Sequence, residues 1–146
     1  MKVEQLLRRK GTRIISIRMD ESVETAARML RHENIGAVVV KDVCGTEGDT
    51  VVGMLSERDF LRAVVDLGPA VLKKPVSSLM SRNVISCSPR DDLTHAVELL
   101  DQHQIRHLPV IDNHTLVGVI SIRDVIAINA AETAAEPVQL EHRTAA

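Results

Sequence analysis

Gly53-Met54-Leu55-Ser56-Glu57-Arg58-Asp59 returns sixty-five residues later as Gly118-Val119-Ile120-Ser121-Ile122-Arg123-Asp124, with glycine, serine, arginine and aspartate in one frame. The chain is an internal duplication. Two units too short to bury a full core alone are expected to share one core and pack face to face, with a ligand-sized cleft between them. Working outward, Ile14-Ile15-Ser16 aligns with Val84-Ile85-Ser86 at an offset of seventy, which carries Ala26 onto Ala96, Leu30 onto Leu100, Ile35 onto Ile105 and Val40 onto Val110. From Val52 and Val117 onward the offset is sixty-five, so the first copy holds five extra residues within 43–50, a Gly-containing stretch that reads as a longer hairpin loop.

Each copy reads β-α-β-β-α. A short β-rich run over 14–17 and 84–87 opens it. Val23, Ala26, Ala27 and Leu30, and likewise Leu93, Ala96, Val97 and Leu100, then fall at i, i+3, i+4 and i+7 and make one apolar helix face. Ser88-Pro89 followed by Asp91 predicts the second helix start, with serine as cap and proline in the first turn. The apolar runs 36–40 and 107–111 pair with 51–55 and 116–120 as hairpins, and closing helices follow over 60–67 and 125–130. Val3-Glu4-Gln5-Leu6-Leu7 and Val76-Ser77-Ser78-Leu79-Met80 share apolar spacing and predict a short lead-in helix for each unit. The expected division is a first repeat with its lead-in over 1–68, a second repeat over 69–130, and a frayed C-terminal tail over 131–146.

Composition narrows the function. The 146 residues are 45% apolar and 26% charged, as in ordinary globular proteins, and carry no Trp, no Tyr and a single Phe, Phe60. Stacking platforms for single-stranded nucleic acid are missing, and a net charge of −2 supplies no general field for phosphate backbones. The local cluster Arg8, Arg9, Lys10 and Arg13 reads as a solvated face. No apolar stretch suits a membrane span or a signal core, so the expectation is a cytoplasmic protein that contacts neither membrane nor nucleic acid. Cys44 and Cys87 stand at non-equivalent places in the repeats, and His103 and His107 are separated by an expected helix end; no metal is expected.

The Ser-x-Arg-Asp element supports two readings. Ser56 and Ser121 suit helix caps, and Asp59 and Asp124, three residues on, complete a box-like pair. Gly53 and Gly118 suit a bulge or a close backbone approach. Capping leaves Arg58 and Arg123 unexplained, because an arginine in the first helical turn opposes the helix dipole. An anion would compensate, and a helix N-terminus with serine, guanidinium and carboxylate around it suits a nucleotide.

Paired β-α-β-β-α repeats ending in Gly-h-x-h-Ser-x-x-Asp resemble a CBS-domain pair, the module named after cystathionine β-synthase, and nearly the whole chain is covered. The runs Ile35-Gly36-Ala37-Val38-Val39-Val40 and Ile105-Arg106-His107-Leu108-Pro109-Val110 are similar to those of small stand-alone bacterial members. The resemblance implies an α/β (α+β) fold with pseudo-twofold symmetry, dimerised into a four-repeat disc through Leu61, Val64, Val65, Val125 and Ile126. It also implies a sensor that binds AMP, ADP, ATP or NAD as a regulatory ligand and signals to an unidentified protein target. By position, Asp124 would hold a ribose diol and Ser121 and Arg123 would face the phosphate, with Val119, Arg106, Ile15, Ser16, Ile35, Gly36 and Ala37 around the base. In the second cleft Asp59, Ser56 and Arg58 would take those roles, with Met54, Ile85, Ser86, Ile105, Arg106 and His107 around the base. For His107 and Arg106 a ligand contact and an ordinary surface role stand equally open.

Two other classes compete. A structural dimerisation module would use Ser and Asp only as caps and pair chains through its apolar helix faces. An enzyme is disfavoured, because the chain has no nucleophile elbow, no phosphate-loop lysine and no metal-ligand cluster, and Asp59 and Asp124 lie in separate clefts; no catalytic residue is expected.

Overall fold

The computed structural model describes residues 1–11, 14–42 and 50–134. Helix α1 (Val3–Lys10) leads to β1 (Ser16–Arg18), α2 (Val23–Glu33), the hairpin β2 (Ala37–Asp42) and β3 (Thr50–Ser56), and α3 (Glu57–Leu67). Two 3-10 turns, Pro69–Lys73 and Val76–Ser78, cross to the second repeat, built from α4 (Leu93–Gln102), β4 (His107–Asp112), β5 (Thr115–Ser121) and α5 (Ile122–Ala134). β1 pairs parallel with β2, and both hairpins are antiparallel. Each hairpin slips register at the same place, between Val40 and Lys41 and between Val110 and Ile111. The result is a mixed α+β molecule of two like repeats, the class the alignment predicts.

Four local expectations are corrected. Of the strand expected over 84–87 only Cys87 remains, bridged to Val110 through Cys87 N–H to Pro109 O at 3.0 Å and Ile111 N–H to Cys87 O at 2.9 Å. In the first repeat the ladder continues with Met19 N–H to Lys41 O at 3.0 Å. Pro89 holds the Met19 position and has no N–H to give. Ser88 does not cap α4. Its N–H and hydroxyl are used in a turn with Asp91 and Arg90, at 2.8 Å to Asp91 Oδ2 and 3.3 Å from the Arg90 N–H, and the helix begins at Leu93. Val97 is exposed, and Leu99 packs on the core in its place, as Met29 does in the first repeat. Finally, α5 runs to Ala134, beyond the end expected at 130. The inserted loop, with Cys44, and Arg13 lie outside the described residues.

The duplicated sequence does not produce one shared core. Two clusters form instead, one per repeat, and each is completed by the other repeat's lead-in segment. Val3, Leu6 and Leu7 of α1 are buried with Cys87, Ala96, Leu100, Leu108, Val110 and Ile120 of the second repeat. Val76 and Met80 are buried with Ile17, Ala26, Leu30, Val38, Val40 and Leu55 of the first. The backbone repeats the exchange bond for bond. Val3 and Glu4 N–H reach Asp91 and Pro89 carbonyls, both at 2.9 Å, while Val76 and Ser77 N–H reach Glu21 and Met19 carbonyls at 2.7 and 3.0 Å. These bonds satisfy the free N–H groups at the start of each lead-in segment.

The exchange explains the repeated glycines. A Cβ on Gly53 would lie 2.7 Å from Met80 Sδ and 2.8 Å from the Ser81 carbonyl oxygen, whereas one on Gly118 would meet only the end of Leu7, at 2.7 Å. Backbone cannot yield as a leucine tip can. Gly53→Ala should therefore cost about 2 kcal/mol through overpacking and Gly118→Ala clearly less. Urea midpoints of the two variants check this, and the reverse ranking would contradict it.

Candidate functional site

At the end of each hairpin the strand turns directly into a helix, and the turn is a reciprocal cap. Asp59 N–H donates to Ser56 Oγ at 3.1 Å and Ser56 N–H to Asp59 Oδ2 at 3.0 Å. In the second repeat Asp124 N–H donates to Ser121 Oγ at 3.2 Å and Ser121 N–H to Asp124 Oδ2 at 2.8 Å. A further bond recurs: Glu57 N–H reaches Gly36 O at 2.9 Å, and Ile122 N–H reaches Arg106 O at 3.1 Å. Each box fixes its carboxylate by one oxygen, and Oδ1 of Asp59 and of Asp124 has no partner among the described residues. Arg58 and Arg123 are exposed and have no ion-pair partner among those residues.

The two boxes differ in one neighbour. Lys10, at the last turn of α1, places Nζ 2.7 Å from Asp124 Oδ2 and 2.6 Å from the Val119 carbonyl oxygen. Lysine and aspartate side chains are 31% and 22% exposed, so the pair is neither free in solvent nor sealed. Burial pushes the Asp124 carboxyl up, but the Lys10 bond and the Ser121 N–H outweigh it and hold the group below the usual carboxylate value. Lys10 thus departs from the solvated face expected of its cluster, because the exchanged α1 carries it onto the second repeat. The signal available in the sequence was its place three residues after Leu7, on the same side of the lead-in helix.

His107 opens β4 opposite Ser121 and lies against Gly36 of the other repeat, where an added Cβ would be 2.8 Å from His107 Cε1. The sequence reading assigns it to the Asp59 cleft. In the structure it pairs with Ser121 of one box, while Gly36 against its ring accepts the Glu57 N–H beside the other, so it stands between the two. Burial pushes its imidazole below 6.5; Asp124 and Glu57 pull it up, and Lys10 and Arg106 push it further down. With a folded value below the unfolded one, acidification protonates the unfolded chain first. This contribution to stability is intact above a pH of about 6.5 and is lost as pH falls toward the folded value. His107→Gln should flatten that part of a stability–pH curve; an unchanged slope would contradict the assignment.

The remaining candidate residues occupy the strand starts and their approaches. Ile15 and Ile35 pack on the first core, Ile85 and Ile105 on the second. Ser16 begins β1 opposite Val39, and Ala37 pairs with Ser56. Met54 and Val119 occupy like positions on β3 and β5, opposite Val39 and Pro109. Ser86 and Arg106 are exposed. The Cys87 thiol is buried and pushed up to about 12, chiefly by desolvation, which leaves it chemically inert. Among the described residues no three His, Cys, Asp or Glu side chains converge as metal ligands.

Comparison with known proteins agrees with this geometry. The family model of the CBS domain matches residues 3–66 and 76–130. CBS domain-containing protein YhcV of Bacillus subtilis is 32% identical over 118 residues, 81% of this chain and 79% of that protein. A crystal structure of a CBS-domain containing protein from Agrobacterium tumefaciens matches with a TM-score of 0.78 at 38% identity, over 86% of this chain and 91% of the other. The CBS domain pair of protein MJ0100, solved in complex with 5'-methylthioadenosine and S-adenosyl-L-methionine, shares the fold with a TM-score of 0.77 at 22% identity, over 90% of this chain and 98% of the other.

Proposed function

Since this chain belongs to the CBS-domain family and carries a tandem pair of its repeats, we infer that it is a non-catalytic regulatory module. Its ligand is an adenosine-containing compound such as AMP, ADP, ATP or NAD, held in the clefts headed by Asp124 and Asp59. The observation that carries this reading is the duplicated box. Each presents a carboxylate oxygen without a partner among the described residues and suited to a ribose diol, a helix N-terminus suited to phosphate, and an arginine that capping leaves unused and that pairs with no described carboxylate. Protein MJ0100, of the same fold, was solved with two adenosine compounds, which favours adenosine chemistry here. A ligand that binds one relative orientation of the repeats better than another stabilises it, and a partner protein reads that orientation.

The module divides into 1–68 and 69–134, with the lead-in segments exchanged between the two. Among the described residues no helix is long and apolar enough to cross a membrane, and we assign the protein to the cytoplasm. A second reading, an interaction module without ligand, draws on the same boxes, since reciprocal capping alone satisfies Ser and Asp.

One experiment separates the two. With no Trp and no Tyr the chain absorbs little near 280 nm, so retained adenine shows at 260 nm. At a hundred times its Kd, AMP, ADP, ATP or NAD should raise the melting temperature by roughly 5–10 °C. Asp124→Ala and Asp59→Ala together should abolish the shift. No shift with any of the four favours the module without ligand.

A further inference from the structure

Three donors belong to the Lys10 ammonium, and two are spent on Asp124 Oδ2 and the Val119 carbonyl. Nothing among the described residues takes the third, on a flexible stem that remains partly exposed. The other half of the molecule solves the same bonding problem without a cation. There the carbonyl of Met54, the counterpart of Val119, accepts the Ser81 backbone N–H at 2.8 Å. Asn83 stands where Lys10 falls when Leu7 is set on Met80, the residues that pack on Gly118 and Gly53. Among the described residues, Asp59 has no cation beside it. The pseudo-symmetric clefts therefore differ in charge at the carboxylate itself.

We propose that Lys10 is a specificity-determining residue of the Asp124 cleft and makes that cleft select phosphorylated adenosine compounds over neutral nucleosides. This rests on the adenosine reading given above. A ribose diol approaching Asp124 must share a carboxylate already paired with an ammonium. A nucleoside returns nothing to Lys10 for that loss. A nucleotide does, because its phosphate offers the ammonium a second anion within reach of the lysine stem, and the charge-assisted bond formed there offsets the one weakened at Asp124. The Asp59 cleft has no such cation among the described residues and discriminates less between the two ligand classes.

The test is calorimetric titration with AMP and with adenosine, in chains that carry Asp59→Asn so that only the Asp124 cleft reports. With Lys10 present, AMP should bind at least about tenfold tighter than adenosine, the size of one bond to a charged group. Lys10→Gln, which keeps a donor for Val119 but no charge, should lower the ratio at least about threefold while Arg123 and the helix N-terminus retain the remainder, and Lys10→Arg should keep it. Equal ratios with and without the Lys10→Gln substitution overturn the proposal, as does a ratio below about threefold with Lys10 itself, a comparison that needs no Lys10 variant to fold. AMP binding that is present in the unsubstituted chain and lost with Asp59→Asn also overturns it, while leaving the adenosine reading in place. Failure of the unsubstituted chain to bind adenosine or AMP overturns the proposal, and failure to bind ADP, ATP and NAD as well overturns the adenosine reading with it.

Discussion

Leu6→Ala should destabilise the second repeat, not the one that follows Leu6 in sequence, by about 3 kcal/mol. Leu6 is 1% exposed and buried with Ala96, Leu100, Leu108 and Ile120, all beyond residue 90. Truncation leaves a cavity at the junction of α1 and that core, and the cost is a large part of a typical stability of about 5–15 kcal/mol. A fall in melting temperature of roughly 6–12 °C is expected for a chain of this size. The location of the loss is the sharper readout. Amide exchange should accelerate in β4 and β5 more than in β2 and β3, and Val76→Ala should give the opposite pattern. Acceleration confined to the first repeat in Leu6→Ala would contradict the exchange. Because α1 also carries Lys10, loosening its packing should weaken the hold on Asp124 as well.

How much of this was legible in the sequence depends on the range over which each signal acts. The hairpins and closing helices were readable because apolar alternation, the Ser caps and the fixed spacing of Asp59 and Asp124 are local, and the structure shows both boxes closed reciprocally. The lead-in segments were readable as amphipathic. Their apolar spacing says that one face of Val3 to Leu7 is buried, but carries nothing about which sheet buries it. The shared core expected from repeat length therefore became two cores with exchanged segments, and Lys10 was assigned to solvent although it sits on Asp124. Val97 failed for a related reason: i, i+3, i+4, i+7 spacing fits two adjacent stripes of a helix, and tertiary packing chose the one with Leu99. The stop of the ladder immediately after Cys87 was written in Pro89, whose missing N–H matters only once its counterpart Met19 is seen bonding to Lys41.

We propose that two copies of the chain pair through α3 and α5, so that Leu61→Glu combined with Ile126→Glu should convert the homodimer to monomers, with association weakened at least 100-fold, about 3 kcal/mol. These two residues occupy the same position of their repeats and are 64% and 62% exposed, on α3 and α5. Val65, Leu67 and Ile122 are exposed on the same helices. Val125 is buried within the chain, which removes it from the outer surface that the resemblance assigned to it. Its inward turn leaves Ile126 as the counterpart of Leu61. A surface whose apolar residues repeat by an internal pseudo-twofold is suited to a second copy of itself, since an isologous contact sets like patches against each other. Each glutamate would then enter the interface of both protomers among apolar residues, and the penalty is counted twice, with Arg58 and Arg123 three residues earlier on the same helices offsetting part of it. Light scattering at micromolar concentration reads the outcome. A wild-type chain that is monomeric under those conditions, or a double variant that keeps its mass, would remove α3 and α5 as the dimer surface. Should the variant be monomeric yet bind AMP with unchanged affinity, ligand recognition would belong to the tandem pair alone and the dimer would serve only to transmit it.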